Sequence, residues 1–382
     1  IEAGINYIEF RFREADYSSF PKGLMYGIDV FDTWLYDDAK PFERLKCLDI
    51  FEALKKKADR GYFEELIEKY LLSNTHASVV VVNPKRGLAA EKETALAEKL
   101  AKYKASLSQE QLEKLVADTK HLKEYQDAEE TEEALKTIPL LKRKDISRES
   151  AKIYNTEKHV DDTLVLHHEI DTNGIGYLEL LFDMKYVPEE LVPYMGILKS
   201  VLGYVDTEHY DYGDLFNEIN ARSGGILFGI SVFTDSKDNQ KFTPMAGIKA
   251  KALYKDIPFV FEMIKEILKT SKLEDEKRLY EIIAKMKSRL QMSLVSSGHT
   301  TAAMRALSYF SAGSCFQEKI SGVDFYQLIN DIEENFEQRK ADVIAKLKEL
   351  IGCVFRAENL MVSYTSEEKG VADQIAAFAE SK

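Results

Sequence analysis

The sequence is poor in cysteine: Cys47, Cys315 and Cys353 are its only three, odd in number and widely spaced. This excludes a disulfide framework and any CxxC-type metal or redox motif, and leaves inert or buried thiols as the expectation. No apolar run approaches the roughly 18 residues that a membrane span needs, and no basic stretch near the start leads into a small-residue cleavage site. Positive charge is in deficit, with 52 Lys and Arg against 65 Asp and Glu, a formal charge of -13. Such a surface repels phosphate backbones and anionic bilayers, so neither nucleic acid nor membrane is an expected partner. The compartment is otherwise open, with the cytoplasm or an organellar matrix expected ahead of secretion. An initiator Met is also missing. The chain begins Ile1-Glu2-Ala3-Gly4, and Ile5, Ile8 and Phe12 already share one helical face, which reads as a fragment opening inside a helix.

What is present suffices for two or three structural units: 382 residues, 45% hydrophobic and 31% charged. Residues 1–87 read as three or four helices broken at Ser18-Ser19-Phe20-Pro21 and at Asp37-Asp38-Ala39-Lys40-Pro41. They end in Ala77-Ser78-Val79-Val80-Val81-Val82, a β-branched run that reads as one buried strand lacking a partner nearby. Residues 88–137 shift to Ala, Glu, Lys and Leu, the composition of exposed helices. Ser108 and Gln111 form a capping box there, with Leu107 and Leu112 placed as a hydrophobic staple, which predicts an antiparallel helical hairpin.

From about residue 138 the pattern becomes α+β. Strands are predicted at Thr163–His168 and Tyr177–Met184 around a turn at Asp171-Thr172-Asn173-Gly174, and a helix after Pro188. A hairpin of Ile226–Thr234 with Phe242–Leu253 follows the helix end at Ser223-Gly224-Gly225. Helices then run from Ile257 to about Ile351, before a strand at Leu360–Tyr364 and a closing helix. The order amounts to a two-layer module, an antiparallel-rich sheet packed by helices.

That order is similar to the repeated module of the pitrilysin (insulinase) family of zinc metallopeptidases, and particular stretches resemble its presequence-protease branch. Residues 7–42 (YIEFRFREADYSSFPKGLMYGIDVFDTWLYDDAKPF) resemble late helices of that family's second module. Residues 172–203 (TNGIGYLELLFDMKYVPEELVPYMGILKSVLG) and 297–324 (SGHTTAAMRALSYFSAGSCFQEKISGVD) resemble parts of its third. The resemblance implies a parent enzyme of four modules whose halves close around a chamber that degrades short, unstructured peptides. This chain would supply the end of the second module (1–87), a helical-hairpin linker (88–137), and a third, peptidase-associated module (138–382). Its expected partners are the remaining modules and a peptide substrate.

The family holds zinc with an inverted H-x-x-E-H motif, because His residues at i and i+4 share a helical face while the Glu activates water. None of His76, His121, His159, His167, His168, His209 and His299 stands four positions from another. By resemblance, Met195, Leu198 and Lys199 occupy the places of two ligands and the base, and a thioether, an aliphatic chain and a cation cannot hold zinc and activate water. No catalytic or metal residue is therefore expected in this chain, zinc belongs to the parent enzyme, and the substrate contacts are unassigned. The family's transition-state Arg and Tyr belong to its fourth module, and no matching Gly-rich Ala-Tyr segment occurs here.

Four further patterns read as ordinary structure. Glu208-His209 copies half of the motif, but Val205 occupies the first ligand position. His167-His168-Glu169 has metal-binding residue types, yet neighbours on a strand point to opposite faces. Ser297-Gly298-His299 lacks a G-x-S-x-G elbow and reads as a helix-entry turn. The acidic runs Glu129–Glu133 and Asp331–Glu334 read as solvated helix faces. Two functional expectations follow: a structural middle segment of a zinc endopeptidase, walling its chamber and hinging its halves, or part of a catalytically inactive scaffold or chaperone-like relative of the same fold. Self-association through the unpaired strand at 77–82 is a third expectation.

Overall fold

The computed structural model describes residues 1–150, 152, 154–160 and 162–367. They form two compact units, one of Ile1–Leu66 with Ile153–Lys382 and one of Ile67–Lys152. The larger unit opens with helices α1 (Glu2–Glu14), α2 (Lys22–Trp34), α3 (Leu48–Ala58) and α4 (Tyr62–Ile67). The smaller contains α5 (Leu88–Ser106), α6 (Gln109–Asp127) and α7 (Glu132–Thr137). The larger then resumes with β1 (Thr156–Val160), β2 (Thr163–Glu169), β3 (Ile175–Asp183), α8 (Val192–Val201), α9 (Tyr212–Arg222), β4 (Ile226–Thr234) and β5 (Phe242–Leu253). It ends with α10 (Ile257–Thr270), α11 (Glu276–Ser296), α12 (Gly298–Leu307), α13 (Ala312–Ser321), α14 (Val323–Glu334), α15 (Phe336–Val354) and β6 (Leu360–Ser366).

The six strands make one sheet in the order β1-β2-β6-β3-β5-β4, antiparallel except where β2 runs parallel to β6. The turn into β3 needs left-handed backbone at Asn173 and Gly174, with φ of 55° and 79°. Asn and Gly tolerate that region best, and the Asp171 carboxylate accepts from Asn173 N at 3.2 Å. Alternation then sets the faces: Leu178, Leu180 and Phe182 of β3, Ile248 of β5 and Val362 of β6 belong to one core shared with the helices. The fold is thus α+β, a mostly antiparallel sheet whose Leu178, Leu180 and Phe182 face is covered by helices.

Helix α1 is part of this unit. Asn6 donates to the Ala221 carbonyl at the end of α9, and Lys251 of β5 donates to Glu14 at 2.7 and 2.6 Å. Glu9, almost fully buried, accepts from Lys55 of α3 at 2.6 Å and from Arg13 at 2.8 Å. Burial opposes ionisation of Glu9, but these two cations outweigh it and hold the carboxyl below its ordinary value.

Most strands follow the sequence, and the β4–β5 hairpin has the expected limits. Strand β1 is additional: Thr-Glu-Lys-His-Val is almost wholly exposed and carries no apolar alternation to announce it. The expectation of a buried strand at 77–82 is corrected. Residues 74–85 form no strand, and Val79 to Val82 are 74–91% exposed. A β-branched run becomes a strand only where a ladder pairs its N–H and C=O groups, and the smaller unit contains no described strand. In the smaller unit the capping box is present, with Gln111 N donating to Ser108 Oγ at 3.2 Å and Ser108 N to Gln111 Oε1 at 2.9 Å. Neither α5 nor α6 buries a residue. The closing helix lies outside the described residues. Cys315 is exposed, Cys47 and Cys353 are half-buried, and all three cysteines are free.

Helix α8 is seated so closely that a Cβ at Gly196 would stand 2.6 Å from the Ile320 carbonyl oxygen and 2.6 Å from the Phe325 ring. Replacing Gly196 with Ala should destabilise the unit by about 1–3 kcal/mol, the range for overpacking. At Gly27, mid-helix in α2, nothing lies within 4 Å of an added Cβ. The Gly27→Ala change should stabilise by about 0.5–1 kcal/mol through helix propensity alone. Thermal melts of the two variants check the contrast, and similar shifts for both would contradict the packing.

Candidate functional site

The helix expected to carry a degenerate motif is α8, and its composition dictates burial. Of the three positions, Met195 and Leu198 are 2% and 0% exposed and belong to the core. Lys199 is half-buried and turns to one side, where burial pushes the ammonium below its ordinary value of 10.5. This donor set does not fit zinc. Among the described residues, no three His, Cys, Asp or Glu side chains converge in a way that could hold a metal ion.

Lys199 lines a cleft of about 800 Å³. Its walls are Gly196 and Ser200 of α8, Phe216 and Ile219 of α9, Leu227 and Gly229 of β4, and a long face of α11. That face presents Arg278, Ile282, Lys285, Met286, Arg289 and Leu290, a helical spacing that alternates cationic with apolar groups. Arg278 is fully engaged: Nε donates to the Tyr204 carbonyl at 2.8 Å, Nη1 to Glu281 at 3.0 Å, and the guanidinium lies 3.9 Å from the centre of the Tyr212 ring. The cleft is thus an apolar trough with a positive rim. Sequence reasoning placed Lys199 but missed Lys285 and Arg289. Their i, i+4 spacing is readable on α11, whereas its juxtaposition with α8 is not.

The remaining sequence candidates are dispersed. His209 hydrogen-bonds Glu266 through its backbone N at 3.1 Å and its Nδ1 at 3.1–3.2 Å, and Val205 is a buried core residue. Burial works against the Glu266 charge, but hydrogen bonds from Thr207, His209 and Thr270 outweigh it and hold the carboxyl at about 2. His167 is buried against the Tyr364 ring, with Nε2 3.4 Å from Ser366 Oγ. His168 faces the other way, Nδ1 2.8 Å from the Tyr154 carbonyl and Nε2 3.1 Å from Ser363 Oγ. Ser297 stands between α11 and α12, with His299 in the first turn of α12. Glu333, from one acidic run, is paired with Lys287 at 2.9 Å.

Burial, and then Lys158, lower the His167 pKa below its ordinary 6.5, outweighing the Ser366 backbone and Glu169. The unfolded chain therefore binds the proton more readily than the folded one. The contribution of neutral His167 is complete above about pH 6.5 and is lost as pH falls through the lower folded value. Glu266 adds a second loss, beginning below its ordinary 4.5 and completed as pH falls through about 2. Thermal melts should show stability declining as pH falls below about 6.5, and His167→Gln should flatten that slope. An unchanged slope would contradict the assignment.

With this geometry in view, comparison with known proteins is specific. The family described as Peptidase M-16C associated matches residues 82–332. Protein HypA of Clostridium perfringens (strain 13 / Type A) is 38% identical over 369 residues, covering 97% of this chain and 38% of that one. Presequence protease 1, chloroplastic/mitochondrial, of Arabidopsis thaliana is 26% identical over 98% of this chain and 35% of its own. Presequence protease, mitochondrial, of Drosophila melanogaster is 23% identical over 85% and 31%. The chain therefore spans between 31% and 38% of the length of these curated relatives. Among the described residues no helix is long and apolar enough to cross a membrane. A family match over most of the chain, with presequence proteases aligned along nearly all of it, makes this a peptidase-associated region: the chain belongs to the Peptidase M-16C associated family.

Proposed function

We propose that this chain is the non-catalytic middle of a zinc metalloendopeptidase that degrades short, unstructured peptides in a closed chamber. The observation that carries this reading is the chemistry of α8, where Met195, Leu198 and Lys199 stand at the positions the resemblance assigns to metal ligands and base. Two of the three are core residues, so the helix serves packing. In this reading residues 1–87 close a second pitrilysin-type module, 88–137 form a hinge hairpin, and 138–382 form a third module that walls the chamber without a zinc motif. The zinc and the residues that activate water belong to other parts of the parent enzyme, and its peptide substrates are processed there. Relatives named as presequence proteases support the peptide class of the substrate.

Cleavage of an unstructured, quenched fluorescent peptide tests the reading, using this chain and the full-length protein, each with zinc and with chelator. The chain alone should be inert under both conditions, and the full-length protein should show turnover abolished by chelator. Zinc-dependent cleavage by the chain alone would overturn the non-catalytic assignment. A full-length protein without chelator-sensitive turnover would point instead to an inactive scaffold of the same fold.

A further inference from the structure

The cleft beside α8 has an unusual charge balance for so acidic a chain. Its lining contains Lys199, Arg278, Lys285 and Arg289 against Glu281 as the carboxylate. Glu281 is already committed to Arg278 at 3.0 Å. Among the described residues, no carboxylate stands within ion-pair distance of Lys199, Lys285 or Arg289. Elsewhere in the same unit lysines commonly have one: Lys287 with Glu333, Lys340 with Glu276, Lys251 with Glu14. Three cations, the half-buried Lys199 with the exposed Lys285 and Arg289, therefore line one concave space without a counter-charge, in a protein of net charge -13. A low-dielectric wall focuses their field into the cleft.

Charge is half of the description. Phe216, Leu227, Ile282, Met286 and Leu290 give the same space an apolar lining. Leu227 is 64% exposed and Phe216 56% exposed, so the apolar groups nearest the mouth are open to a ligand. A small inorganic anion would satisfy the cations and leave that lining wet, whereas a group that joins a carboxylate to an apolar side chain satisfies both.

We propose that the cleft binds a peptide carboxylate next to an apolar side chain, the carboxylate against Lys199, Lys285 and Arg289 and the side chain against Phe216, Leu227 and Met286. That the ligand is a peptide rests on the peptidase-associated reading; that it is an anion rests on the charge balance alone. Burial already disfavours the Lys199 ammonium, so an arriving carboxylate restores a counter-charge where it is most lacking. The site would hold one part of an extended peptide while another part is elsewhere in the enzyme, acting as an anchor.

Fluorescence anisotropy with the 382-residue chain tests this, using three peptides labelled at the N-terminus. One is neutral and apolar with a free C-terminal carboxylate, one is its C-terminal amide, and one is an amide with a Glu next to the apolar residue. At least one carboxylate form should bind about tenfold or more tighter than the neutral amide, as expected for a charge-assisted hydrogen bond. Which form does so identifies the terminal or side-chain source. Lys285 and Arg289 are exposed, so the variant Lys285→Gln/Arg289→Gln should melt like the parent while losing the preference. Equal affinity for all three peptides, no binding of any, or a preference that survives in the double variant would overturn the proposal. Chelator-sensitive turnover by the full-length protein is a separate readout, so the anchor and the metallopeptidase reading can fail independently.

Discussion

The close seating of α8 on α13 and α14 is the constraint on which the larger unit depends. Gly196 leaves no room for a methyl group between the helix and Ile320 or Phe325, and Met195, Ile197 and Leu198 around it are essentially solvent-free. Residues used in that way cannot also present donors to a metal. Lys199, at the margin of the packed face, lies with Gly196 and Ser200 where the helix meets a cavity.

A second set of contacts joins the start of the chain to the sheet unit. Glu14 pairs with Lys251 across 237 positions, Phe10 packs where a Cβ on Gly224 would lie 2.6 Å from its ring, and Glu9 ties α1 to α3. Burial, together with the Glu14 carboxylate, pushes the Tyr177 hydroxyl well above its ordinary value on the sheet face beside them. Glu318, buried on α13, similarly accepts from Arg305 at 3.0 Å and from Val323 N at 2.8 Å at the start of α14. A side chain on Gly322 would collide with that carboxylate, which fixes how tightly the chain turns between the two helices.

Much of this is legible in the sequence because it is local. Hydrophobic alternation marks β3 and the β4–β5 hairpin, and Ser108 with Gln111 marks the start of α6. Strand β1 is not legible, since its polar residues gain their ladder only from β2. The run Val79–Val82 reads as a buried strand because β-branched residues favour one, but propensity supplies no partner. The candidate site divides in the same manner. Met195, Leu198 and Lys199 follow from resemblance, while the cleft joins α8 to a face of α11 roughly eighty positions later, a proximity that only tertiary packing creates. Strand geometry, by contrast, is local enough to be foreseen, and it sends His167 and His168 to opposite faces.

Together these features describe a peptidase-associated unit in which α8 is a packing element, with an electropositive trough at its side. The most direct test of that account is the zinc content of the 382-residue chain after equilibration with zinc and dialysis into metal-free buffer. The account predicts no stoichiometric zinc and no change in melting temperature on adding it. One firmly retained zinc ion per chain, with a raised melting temperature, would contradict it.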